Sequence, residues 1–195
     1  DRDAPELTRI CVFGALSPQG RSVVKGLLAD TRKSYEIRAT TRRSLNTTPE
    51  VQDMIQWDPK RVAFVQADFD DVASCQKAVE GMDGAFLVAD DLQETNLKNV
   101  DLETEERHVR NTIDACEGSV KHLVFSTMES SEVVNEDLPQ NELLELSPKA
   151  RAAAYARSKK LAVTFVLMPC YSEVFFDLMH VRKDDAGKGK IFLQV

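Results

Sequence analysis

The feature that most constrains this chain is a rhythm. Short apolar runs rich in β-branched residues recur at 9–13, 36–41, 62–66, 85–89, 122–126 and 161–168, and helical patterns fill most of the gaps between them. Within 22–28, Val23, Val24, Leu27 and Leu28 form one apolar face. Across 95–117, Leu102, Val109, Ile113 and Cys116 fall on one stripe. Strands alternating with helices predict a parallel sheet covered on both faces, a doubly wound α/β arrangement. At 195 residues the chain has room for one domain with a sizeable core and not for two full ones.

Two segments break the rhythm. The stretch 129–146, "ESSEVVNEDLPQNELLEL", is acidic and unpatterned and reads as a solvated, mobile surface loop. After it, Ser147 and Pro148 have the form of a helix cap and first-turn proline ahead of "KARAAAYARSKK", a strong helix former. "LAVTFVLM" then follows with no loop residues between, although crossovers to a parallel strand normally leave a few. That abrupt join predicts that a piece of chain is missing after Lys160.

Charge and composition exclude several classes. A net charge of -7 argues against direct, sequence-independent nucleic-acid binding and points any regulatory role towards protein partners. No apolar run approaches a membrane span, and the first seven residues lack the basic-then-apolar layout of a secretory signal, so the expected compartment is the cytoplasm, with an organelle or the nucleus left open. Cys11, Cys75, Cys116 and Cys170 are widely spaced without a C-x-x-C pair, which predicts buried reduced thiols and no metal site. His108, His122 and His180 also lack ligand spacing and read as surface or strand-end residues.

The first strand runs into "GALSPQG", with glycines at 14 and 20 and a serine at 17. In a dinucleotide-binding loop of this kind the first glycine makes the tight turn, the second admits the pyrophosphate and the third lets helix pack on strand. Gly14 and Gly20 keep the outer roles. Ser17 puts a side chain where phosphate would sit, yet Ser17 and Pro18 also make a good cap and first turn, and a helix N-terminus still attracts an anion. About 20 residues beyond such glycines, NAD-specific folds carry an acid and NADP-specific ones an arginine. Here stand Arg42 and Arg43, which predicts NADP(H). Asp68, Asp70 and Asp71 could be taken for an acid/base or Mg²⁺ cluster, but their place at a strand end before a helix favours adenine contact and helix capping.

"ICVFGALSPQG", "RATTRR", "VQADFDD", "GAFLVAD", "LVFSTMES" and "MPCYSEVFF" fall in the order and spacing of NmrA-like proteins, a branch of the atypical short-chain dehydrogenase/reductase superfamily, and the chain resembles them from about Thr8 onward. The resemblance implies a Rossmann-type NAD(P)-binding domain over 8–168. Residues 169–195 would then begin the smaller C-terminal substrate or partner region, of which only a fragment would be present. Carried over by position, Gly14, Leu16, Ser17, Pro18, Gln19 and Gly20 would hold the pyrophosphate and Arg42 with Arg43 the 2'-phosphate. Asp68 and Phe69 would flank the adenine, Ala89 and Asp90 would lie beside the cofactor, and Pro169 and Tyr171 would sit near the nicotinamide. Such proteins often sense redox state and control a protein partner; a homodimer is left open.

One feature pulls towards catalysis. Tyr155 and Lys159 have the Tyr-x-x-x-Lys spacing of active short-chain reductases, which puts both on one helical face. There the phenol donates a proton to a carbonyl as hydride arrives, and the ammonium lowers the phenol's pKa. A hydroxyl at the end of the fifth strand, Ser126 or Thr127, orients the carbonyl. In NmrA-like regulators that lack the tyrosine, the lysine alone, here Lys159, holds the nicotinamide ribose. Three readings follow: an NADP(H)-binding sensor or regulatory scaffold, an NADPH-dependent reductase using Tyr155 and Lys159, and a structural subunit that has lost its cofactor.

Overall fold

The computed structural model describes residues 8–89, 102–128, 146–168, 179–183 and 189–193. Six strands form one parallel sheet: β1 (Arg9–Phe13), β2 (Glu36–Thr41), β3 (Val62–Gln66), β4 (Gly84–Leu87), β5 (His122–Thr127) and β6 (Val163–Leu167). They lie in the order β3-β2-β1-β4-β5-β6, so chain order reverses between β1 and β4. The register pairs Val12 with Ala39 on one side and with Phe86 on the other. This is the doubly wound sheet that the alternating pattern predicts, and its crevice for ligands is the point of reversal, at the strands' carboxyl ends.

Alternation along the strands divides the core in two. Cys11 and Phe13 of β1 and Ala85 and Leu87 of β4 pack on one face, while Ile10, Val12, Phe86 and Val88 pack on the other. Helices α1 (Pro18–Ala29) and α2 (Pro49–Trp57) cover the second face with Val24 and Met54. Helices α3 (Val72–Val79), α4 (Leu102–Cys116) and α5 (Leu146–Arg157) cover the first with Val79, Val109, Ile113 and Ala152. Strands buried on both faces carry continuous apolar runs, which is why those runs were visible in the sequence.

Three expectations change. α5 ends at Arg157 and β6 begins only at Val163, so residues 158–162 form the connection, and β6 pairs in register with β5, Phe165 beside Phe125. No missing piece after Lys160 is needed: the "SKKLA" that follows Arg157 is not helix but the turn into the strand. His108 is not a surface residue, since it lies buried on α4. A strand pair absent from the sequence reading, β7 (Met179–Lys183) and β8 (Gly189–Leu193), forms a separate antiparallel two-stranded sheet within 169–195. The acidic segment 129–145 and the 95–101 portion of the expected fourth helix lie outside the described residues.

Cys11, Cys75 and Cys116 are free and buried as expected, and burial pushes the thiols up, to about 11 for Cys75 and about 12 for Cys116. Cys170 lies outside the described residues. Thiols so far above neutral pH stay protonated and unreactive.

Candidate nucleotide cleft

The turn from β1 into α1 is built by the absence of two side chains. Gly14 adopts φ 72°, and a Cβ there would lie 2.3 Å from the carbonyl oxygen of Val88 at the end of β4. A Cβ on Gly20 would lie 2.1 Å from the Gly14 carbonyl oxygen, so the first turn of α1 presses directly on the loop. Both glycines therefore do what a dinucleotide loop requires of its outer pair.

Ser17 turns inward instead of blocking the loop. Its hydroxyl donates to the Gly14 carbonyl at 2.8 Å and accepts from the Gly20 N–H at 3.1 Å, with the residue only 8% exposed. Ser17 is thus the N-cap of α1, with Pro18 in the first helical position. The side chain that replaces the middle glycine is spent on fastening the loop and leaves the helix N-terminus facing the cleft. The residues fit an anion here.

The cleft extends from this loop along the carboxyl ends of β1, β2 and β3. Gly14, Leu16, Ser17, Thr40, Thr41, Arg42, Arg43, Glu50, Ala67, Asp68, Phe69, Val88 and His108 line it. The buried Thr41 hydroxyl accepts from the Arg43 N–H at 3.1 Å, and the Gln66 amide donates to the Arg42 carbonyl at 3.0 Å, so the backbone carrying both arginines is held while their side chains stay exposed. Arg43 lies 3.7 Å from Glu50, in the first turn of α2.

The third wall is the turn after β3. The Asp68 carboxylate accepts from the Asp70 N–H, and Asp71 caps α3 by accepting from the Ala73 N–H, the capping role anticipated for this cluster. Asn111 of α4 donates to the Phe69 carbonyl at 2.8 Å, and His108 Nε2 lies 3.1 Å from the Asp70 carboxylate. The contacts with His108 and Arg107 hold the Asp70 carboxyl below the usual carboxylate range. Phe69 packs edge-on to His108 and at a tilt to Phe13, both at 6.0 Å between ring centres. Among the described residues no cluster of His, Cys, Asp and Glu suited to a metal ion occurs.

Ser126 and Thr127 end β5 at the same edge. The buried Ser126 hydroxyl donates to Gln19 Oε1 at 2.5 Å, joining β5 to the first turn of α1, and Thr127 donates to the Lys149 carbonyl at the start of α5. Ala89 is buried at the end of β4. Asp90, Pro169 and Tyr171 lie outside the described residues.

Tyr155 and Lys159 are not brought to this edge. α5 starts beside the end of β5 and runs back, so its last turn and the connection to β6 reach the amino ends of the strands, as the bond from the Lys160 N–H to Glu117 at the close of α4 also requires. The Tyr155 hydroxyl donates to Asp114 Oδ1 at 2.8 Å, and Lys159 pairs with Asp114 at 2.6 Å and Glu117 at 3.3 Å. These partners raise the Lys159 pKa, Asp114 first. Arg110 and Lys159 flank the Tyr155 ring at 4.6 and 4.5 Å. Both side chains are spent on joining α4 to α5. The ammonium that the fold sets at the start of α5 belongs to Lys149, whose Nζ is 3.4 Å from the buried Glu105 carboxylate. Lys149, Glu50 and His108 all escape a sequence reading, because only the crossovers bring them to this edge.

A six-stranded doubly wound sheet, a glycine turn at the point of reversal and an arginine-walled cleft define a Rossmann-type dinucleotide fold. Residues 6–195 match the NmrA-like family, and the chain belongs to it. It is 31% identical over 123 residues to the NmrA-like family domain-containing oxidoreductase himF of Aspergillus japonicus, an alignment covering 60% of this chain and 33% of that protein. The fold is similar to that of NmrA, a negative transcriptional regulator, at TM-score 0.69 and 19% identity, covering 94% of this chain and 53% of that one. It is also similar to the Citrobacter sp. triphenylmethane reductase solved with NADP(H), at TM-score 0.63 and 20% identity, covering 87% of this chain and 52% of that one. The chain thus spans about half the length of these solved relatives and a third of the himF protein.

Proposed function

We propose that this chain is the NADP(H)-binding part of an NmrA-like protein that acts as a redox sensor or regulatory scaffold through a protein partner. The observation that carries the reading is the continuous cleft from the capped helix at Ser17 to Arg42, Arg43, Asp68 and Phe69. The loop 14–20 would take the pyrophosphate, Arg42 and Arg43 the 2'-phosphate, and the Asp68-Phe69 turn the adenine. Solved proteins of the same fold include the reductase complexed with NADP(H) and the NmrA regulator, which supports both halves of the reading.

Bound NADPH would supply a hydride, and the reductase alternative asks for an acid beside it. Tyr155 is hydrogen-bonded to Asp114 near the opposite edge of the sheet, which favours sensing over the Tyr-Lys chemistry. The test pairs a binding titration with turnover assays across aldehydes, ketones and quinones. NADPH binding without turnover is the expected result; turnover that Tyr155→Phe abolishes would overturn the sensor reading in favour of the reductase.

A further inference from the structure

We propose that Glu50 sets how strongly the cleft prefers NADP(H) over NAD(H), by sharing Arg43 with the ligand and opposing a 2'-phosphate. The inference rests on the nucleotide reading of the cleft. Glu50 lines the same cleft as the two arginines, and its Oε1 lies 3.7 Å from Arg43 Nη1. Its position is fixed from below: Pro49 opens α2, and the Thr48 hydroxyl donates to the Ser44 carbonyl at 2.7 Å, closing the loop that joins Arg43 to Glu50.

A glutamate in a first helical turn also complements the helix dipole, and that alone would make Glu50 a stabiliser of α2. The dipole role does not require the side chain to line the cleft or to meet Arg43, and Glu50 does both. Dinucleotide folds use an acid to accept from the ribose 2'-hydroxyl and an arginine to hold the 2'-phosphate. This cleft carries both, the arginines just past the end of β2 and the acid in the first turn of α2. When a phosphate of charge about -1.5 to -2 enters, Arg43 must be drawn from Glu50 and the carboxylate stays as a like charge nearby. A 2'-hydroxyl imposes neither cost and offers the carboxylate a donor. Glu50 therefore narrows a preference that the arginines alone would make wide.

Calorimetric titration of the parent, Glu50→Gln and Glu50→Asp with NADPH and NADH tests this at low ionic strength, where exposed charges are least screened. The Gln variant keeps the shape and removes the charge. Its NADPH-to-NADH affinity ratio is expected to rise roughly fivefold over the parent, mostly through tighter NADPH binding, with the Asp variant intermediate as its carboxylate withdraws. A purely helix-stabilising role would lower Tm and leave the ratio where it was. Both nucleotides binding with an unchanged or reduced ratio would overturn the role of Glu50 and leave the nucleotide cleft standing. Failure of the parent to bind either nucleotide would overturn the cleft reading and this inference with it.

Discussion

The two edges of the sheet use their charged side chains in opposite ways. At the amino edge, the buried Asp83 before β4 accepts from the Thr8 and Arg9 N–H groups, the Arg9 guanidinium and Lys121. Nearby, Asp114 and Glu117 take up Tyr155, Lys159 and the Lys160 N–H. Every one of these groups is satisfied within the chain, so this edge is a clasp. At the carboxyl edge the backbone is fastened just as firmly, through Ser17, Thr41, Asn111 and Ser126, yet a helix N-terminus and two exposed arginine side chains face a cleft. Charges that close on each other hold a fold, and charges held around a space can hold a ligand.

The largest expected effect comes from filling the glycine turn. Gly20→Ala sets a Cβ against the Gly14 carbonyl and the Ala15 Cα, both backbone, so neither can move aside cheaply. A loss of about 3 kcal/mol or more is expected, seen as a Tm lower by roughly 10 °C in a thermal melt. A melt within a degree of the parent would show that the loop and helix are less tightly joined than described.

The clasp comes next. Asp83→Asn leaves the shape but removes the charge that Arg9 and Lys121 share, and is expected to cost about 2–3 kcal/mol at pH 7 by denaturant titration. Hydrogen bonds from Arg9 hold the Asp83 carboxyl well below the ordinary carboxylate range, with help from Lys121. A depressed folded pKa gives stability that is present above the unfolded value, near 4, and is lost as pH falls towards the folded value. The deficit of the variant should therefore be full at pH 7 and shrink below about pH 4. A deficit that grew on acidification would contradict the assignment.

Tyr155→Phe sharpens the comparison with a smaller effect. Losing the hydrogen bond to Asp114 should cost on the order of 1 kcal/mol and leave NADPH affinity within about twofold. A large loss of NADPH binding with the fold intact would mean that this residue serves the cleft and not the clasp.

The sheet was legible because its central strands, β1 and β4 above all, are buried on both faces and so appear as apolar runs. The strands at 9–13, 36–41 and 62–66 match their runs residue for residue. The outer glycines were legible too, since spacing alone fixes their place in a strand-to-helix turn. Ser17 was half legible: its capping talent is local, but whether its hydroxyl would point into the phosphate space or back to Gly14 is a rotamer settled by the folded loop. The Tyr-x-x-x-Lys spacing is incomplete information for a related reason. Spacing assigns two residues to one helical face, whereas the end of the sheet they reach depends on where the helix stops, and α5 stops at Arg157. The places of His108 and Glu50 in the cleft were invisible because α4 and α2 carry them there only through crossovers.

The central claim is that the carboxyl edge binds a phosphorylated dinucleotide, and the most direct measurement is calorimetric titration of the parent and of Arg42→Ala/Arg43→Ala with NADPH, NADP⁺ and NADH. The account predicts that the parent binds NADPH and NADP⁺ more tightly than NADH, and that removing both arginines erases most of that preference, roughly tenfold, while NADH binding changes little. Parent protein that binds none of the three, or a preference for the phosphorylated forms that survives the loss of both arginines, would contradict it.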